Sequence, residues 1–176
     1  MRRETHRRSR GIATGALLLI CLAPALPSMA ATLTWDTVED GPPVTHGNGT
    51  WDLGSNRWNS SGANVTWSNS PVNDALFIGG ASGATITLGN EPIIAGTITI
   101  SGPGNTILQG PLANLSAAEI RIDTISDGKL VMNAPGSGAL SQVAKLSIAS
   151  GATLYLSNGV IVTGGITAAG TGNNEA

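Results

Sequence analysis

Ala84-Thr-Ile-Thr-Leu88 and Gly96-Thr-Ile-Thr-Ile100 are two copies of one phrase, a small residue followed by hydroxyl and aliphatic side chains in strict alternation. Successive side chains of a strand point to opposite faces, so the phrase puts Ile and Leu on one side and Thr on the other. Variants recur at Asn105-Thr-Ile-Leu108, Glu119-Ile-Arg-Ile122, Gly128-Lys-Leu-Val-Met132, Lys145-Leu-Ser-Ile148 and Ala152-Thr-Leu-Tyr-Leu156. Their mean step is about 11 residues, the spacing of short strands in an all-β fold. Long stretches of helix formers at 3.6-residue spacing are absent, because Gly, Thr, Ser and Asn interrupt every window.

Two all-β architectures fit this spacing. A β-sandwich fills the space between two sheets with bulky and aromatic residues, and the whole chain has one Phe and one Tyr. A right-handed parallel β-helix instead stacks thin aliphatic side chains, with roughly 20–30 residues per coil and about 4.8 Å between rungs. The solenoid is the predicted fold and the sandwich its alternative. Gly and Asn between the strands suit its corners, where positive φ is common.

Working outward, residues 31–80 differ in texture from residues 81–170. The first segment holds all four tryptophans, Trp35, Trp51, Trp58 and Trp67, among turn sequences such as Asp40-Gly-Pro-Pro43 and His46-Gly-Asn-Gly49. An open rung exposes unpaired backbone groups, so this segment is predicted to be an N-terminal cap with the four tryptophans buried as its plug. Exposed, the same rings would make a carbohydrate-binding module. Residues 81–170 form the rungs and residues 171–176 a polar tail. No cap is visible near the tail, which predicts self-association through the C-terminal rung.

Residues 1–30 read as a secretory signal peptide. Arg2, Arg3, Arg7, Arg8 and Arg10 precede the apolar run Ile12 to Leu26, and Ser28-Met-Ala30 supplies a small-residue cleavage site. The run is too short, and too broken by Pro24 and Pro27, to be retained as an integral membrane segment. Cleavage near Ala30 places the mature chain in the periplasm, at the cell surface or outside the cell. It also removes Cys21, the only cysteine, so disulfides, a thiolate nucleophile and cysteine metal sites are excluded. The mature chain keeps four basic residues, Arg57, Arg121, Lys129 and Lys145, against ten acidic ones, a formal charge of −6. Nucleic acid, which needs clustered Lys and Arg, is excluded as a partner.

The residues resemble those of autotransporter-associated β-strand repeat proteins. The resemblance is carried by Leu33-Thr-Trp-Asp36, Gly49-Thr-Trp-Asp52, Asn73-Asp-Ala-Leu-Phe-Ile-Gly79 and Ile148-Ala-Ser-Gly-Ala-Thr-Leu-Tyr-Leu156. It implies an exported bacterial surface protein with a β-helical passenger, a structural or adhesive role and no catalysis. Typical members are longer and end in an outer-membrane barrel; no stretch after Gly83 has the ten-residue strands and aromatic girdles that a barrel needs. The chain therefore reads as the start of a passenger or a small secreted relative.

Few side chains offer chemistry. Glu119, Arg121 and Asp123 alternate along one strand and share a face, which makes them the candidate catalytic set for a polysaccharide lyase or glycoside hydrolase. A solvated charged face is the simpler reading, and no enzyme activity is predicted. His46 is the one histidine of the mature chain, and no nucleophile elbow accompanies it. Asp36, Asp40, Asp52 and Asp74 lie in the cap region without a calcium-loop spacing, so no metal is expected. Gly79-Gly80-Ala81-Ser82-Gly83 lacks the Lys-Ser/Thr of a phosphate loop and reads as a turn, so no cofactor is expected either. The predicted partners are a surface glycan or another protein, met by flat ladders of Thr, Ser and Asn.

Overall fold

A computed structural model describes residues 30–38, 42–123, 129–134, 139–140, 142–157, 160–162 and 164–168. Residues 1–29 of the predicted signal peptide, with Cys21, and also Asp40 and the polar tail 171–176, lie outside the described residues. Within them the protein is all-β, its parallel strands stacked in about three turns of a β-solenoid. The β-sandwich alternative is overturned: from Asp74 to Asn133 consecutive strands alternate between two sheets, and these strands pair in parallel with strands one coil apart.

One face is an eight-stranded sheet. Its parallel part runs from β1 (Thr32–Trp35) through β5 (Asp74–Phe77), β7 (Ile93–Ile100), β9 (Leu115–Ile122) and β12 (Lys145–Ile148) to β15 (Gly165–Ala168). The second face stacks β2 (Gly49–Trp51), β6 (Ala84–Leu88), β8 (Asn105–Gln109), β10 (Lys129–Asn133) and β13 (Thr153–Ser157). A third, short face pairs β11 (Ala139–Leu140) with β14 (Ile161–Val162), and a single 3-10 turn at Leu112–Asn114 precedes β9.

The alternation in the sequence becomes inward columns. Ile98 lies opposite Ile120 and Ile120 opposite Leu146 on the first face, while Ile86, Leu108 and Met132 align on the second. All six are buried. Each such side chain contributes roughly 1.5–3 kcal/mol by leaving water, so one-residue slips are strongly disfavoured.

Strands β7 and β9 begin earlier than the sequence phrase suggests, at Ile93 and Leu115. Gly96 reads as a strand start, yet it lies within β7, where Asp74 leaves no room for a side chain: a Cβ would sit 2.4 Å from the Asp74 Oδ1, which accepts the Thr97 N–H at 2.6 Å. Two corner glycines are dictated by the stacking itself. Gly102 and Gly104 have φ of 117° and 83°, and a Cβ on either would come within 2.1 Å of a backbone carbonyl of the previous coil.

The tryptophan-rich segment is part of both sheets. β1 and β2 pair in parallel with β5 and β6, so residue 80 marks no boundary in the sheets. What distinguishes this end is a hairpin, β3 (Trp58–Ser60) and β4 (Ala63–Val65), laid antiparallel on β1 through a turn with positive φ at both Ser61 and Gly62. That turn matches the twist of the paired strands. Beneath it Trp35, Trp51, Trp58, Trp67 and Phe77 pack with ring centroids 4.7 to 5.9 Å apart, many edge to face. All five are buried; the cap reading named the four tryptophans, and Phe77 joins them.

At the opposite end β13 and β15 are the outermost strands of their sheets among the described residues. Their inward positions Leu156 and Ile166 are 41% and 56% exposed, whereas Met132 and Leu146 one coil earlier are buried.

Candidate functional site: the outward faces

Because Ile120 and Ile122 point inward, Glu119, Arg121 and Asp123 project together from the first face, as the sequence spacing predicts. They do not form a free acid and base. Lys145 Nζ lies 3.1 Å from Glu119 Oε1, and the Ser147 hydroxyl donates to the same oxygen at 2.5 Å. Arg121 Nε donates to Asp123 Oδ1 at 2.9 Å. The Ser147 hydroxyl, followed by Lys145, holds the Glu119 carboxyl below the usual carboxylate range, and Asp123 raises the Arg121 guanidinium further. A general acid near neutral pH needs the opposite shift. Both pairs lie at the surface, with each cation about half exposed, so each contributes little to stability.

The cap aspartates are engaged by nearby donors. Asp36 is fully buried; its Oδ1 accepts the Val38 and Thr45 N–H groups and the Thr45 hydroxyl, while its Oδ2 has no partner among the described residues. Asp52 closes its own turn through the Gly54 and Ser55 N–H groups and the Ser55 hydroxyl. Burial pushes the Asp52 carboxyl up, but those bonds, with Arg57, outweigh it and leave the carboxyl below its ordinary range. No group of three His, Cys, Asp or Glu side chains arranged for a metal occurs among the described residues. His46 is half-buried in the cap loop; desolvation lowers its pKa, and the nearby Asp36 opposes this without reversing it.

The second face has a different chemistry. Thr50, Thr87, Gln109, Asn133 and Ser157 form one outward column, in register across five strands. Beside it run Thr85, Ile107, Val131 and Tyr155, then Asn105, Lys129 and Thr153. Gln109 bridges to Thr87 across one coil at 3.1 Å. Lys129 is the one charged residue on these strands, and its Nζ lies 5.6 Å from the centroid of the Tyr155 ring. Tyr155 is 51% exposed.

Reading the sequence singled out neither Lys129 nor Tyr155, although both lie in phrases it identified. The signal was the register of Lys129-Leu-Val-Met132 on Thr153-Leu-Tyr-Leu156, which places the lysine and the tyrosine two residues apart on the same outward side. The four tryptophans offer no exposed stacking row, since every ring faces the core. No protein-family model matches the chain, and no curated protein or solved structure matches it.

Proposed function

We propose that the chain is an exported, non-catalytic structural or adhesive surface protein that works by presenting the outward faces of its solenoid. One observation carries this reading: the second face aligns hydroxyl and amide side chains in register, one set per coil, with a single charge. Such a face offers repeated hydrogen-bond donors and acceptors at about 4.8 Å, suited to an extended polymer or a partner strand surface. The ion pairing of Glu119 with Lys145 and of Asp123 with Arg121 fits display better than acid–base catalysis.

Export through the signal peptide and a passenger-like role of the autotransporter-associated kind belong to the same proposal. So does self-association through the rung that ends at Leu156 and Ile166, whose apolar side chains another rung would cover. The test is to produce the full chain with its leader in a bacterial host and follow where it goes. The reading expects a product beginning at Ala31 that leaves the cytoplasm and makes beads coated with it adhere to polysaccharide- or protein-covered surfaces. An uncleaved cytoplasmic chain whose coated beads adhere to nothing would refute it.

A further inference from the structure

We infer that a cleft at the start of the first-face strands is a binding subsite for one pyranose unit of a neutral glycan. The inference rests on the display reading above and names where the polymer is gripped. Ile94 of β7 and Ser116 of β9 stand in register, and the bridge between Ala117 and Val143 puts Gln142 next in the same column. With Pro92 and Asn114 beside them, these residues line a cleft of about 240 Å³. That is room for roughly eight waters at about 30 Å³ each. It is smaller than the roughly 300–1,000 Å³ of a drug-sized site and suits a single sugar ring.

The walls of the cleft are held in place by neighbouring turns. Asn69 accepts the Ile94 N–H at 2.9 Å and donates to the Pro92 carbonyl at 2.8 Å, while Asn114 donates to the Asn90 carbonyl at 2.8 Å. Asn114 keeps its side-chain oxygen free, and the Ser116 hydroxyl and the Gln142 amide have no partner among the described residues. Three uncommitted polar groups therefore border two aliphatic ones, Pro92 and the 40% exposed Ile94. A pyranose matches this set: its hydroxyls donate and accept, and its C–H face covers apolar surface. No ionisable residue lines the cleft, and the Glu91 carboxylate lies over Gly89, where a Cβ would meet it at 2.8 Å. The exported chain has four basic residues against ten acidic ones, so an acidic polymer is repelled. A peptide strand needs a free backbone edge. Here β9 is paired with β7 on one side, and on the other Ala117 bonds to Gln142 and Ala144.

The test is affinity electrophoresis of the full chain through gels containing galactomannan, mixed-linkage β-glucan or polygalacturonate. The expected result is retardation by at least one of the neutral polymers and none by the acid one. Ser116→Gln fills the cleft without changing the charge and should abolish the retardation. Gln142→Ala removes one hydrogen-bonding group and should lower the affinity about fivefold. Arg121→Gln, on the same face beyond the cleft, should leave it unchanged, and an unaltered tryptophan emission spectrum verifies the fold of each variant. Retardation by polygalacturonate alone, or by no polymer, would overturn the subsite. Retardation that persists in Ser116→Gln would overturn it as well, while leaving display by another part of the surface standing. Shortened polymer in a neutral gel would instead overturn the non-catalytic reading, so the two failures are distinguishable.

Discussion

Gln109 and Thr87 stand in register on adjacent coils, and the Gln109 amide donates to the Thr87 hydroxyl at 3.1 Å. This contact expresses the solenoid directly, because residues 22 apart in sequence become nearest neighbours on one outward column. In a Cys21→Ser background, the double variant Thr87→Cys/Gln109→Cys should oxidise to an intramolecular disulfide, since parallel partners lie at about the Cα separation a disulfide requires. The measurement is the thiol count after mild oxidation. Two persistent free thiols in the folded monomer would count against the register.

Much of this arrangement was legible in the sequence. Ala84-Thr-Ile-Thr-Leu88 carries its own side assignment, and the shortage of Phe and Tyr steers away from a sandwich. Burial of Trp35, Trp51, Trp58 and Trp67 was readable too, because residues 31–80 hold few other large apolar side chains. Pairing was not. Nothing local says that β1 will join β5 in parallel while accepting β3 antiparallel, or that Gly96 will sit inside a strand, because both follow from contacts made a coil away. The pairing of Glu119 with Lys145 was hidden for the same reason: the partners belong to different coils.

Trp58 contacts Trp35, Trp51, Trp67 and Phe77, so Trp58→Ala opens a cavity at the centre of the plug. The expected cost is about 3–5 kcal/mol in urea denaturation. In the wild type the emission should be blue-shifted and insensitive to acrylamide or sugars. Sugar-dependent quenching would contradict burial of the cluster.

Two glycines separate backbone strain from crowding. Gly104 and Gly151 both have φ near 80°, at 83° and 81°, but a Cβ at Gly104 meets the Gly80 carbonyl at 2.1 Å and one at Gly151 meets nothing within 4 Å. Gly151→Ala should cost roughly 1–2 kcal/mol, the penalty of left-handed backbone alone. Gly104→Ala should exceed it by about 1–3 kcal/mol because the coils must separate. Equal melting temperatures for the two variants would argue against close stacking at that corner.

His46 gives the cap a pH response with a definite sign. Its pKa is lowered in the folded state, chiefly by desolvation and despite Asp36, so the unfolded chain binds the proton more readily. Stability should therefore rise with pH through this range and fall as pH drops below the ordinary histidine value of about 6.5. The difference in melting temperature between pH 7.5 and pH 5.5, about two units, should be larger for the wild type than for His46→Gln. An identical difference in both would mean that His46 does not contribute.

Glu119 and Arg121 answer the catalytic alternative. Glu119→Gln and Arg121→Gln remove one member of each exposed pair and should change stability by less than about 1 kcal/mol. Neither should alter any interaction with a polysaccharide.

Whether the chain holds a polymer without cutting it is the central question, and one time course answers it most directly. The protein is incubated with galactomannan, mixed-linkage β-glucan and polygalacturonate, and polymer length and new unsaturated or reducing ends are followed by chromatography alongside the bound fraction. Display predicts neutral polymer retained by the protein and every polymer recovered at its starting length, with no new ends at any time. Progressive shortening that stops in Glu119→Gln or Asp123→Asn would contradict it and make the first face, with its paired charges, an active site.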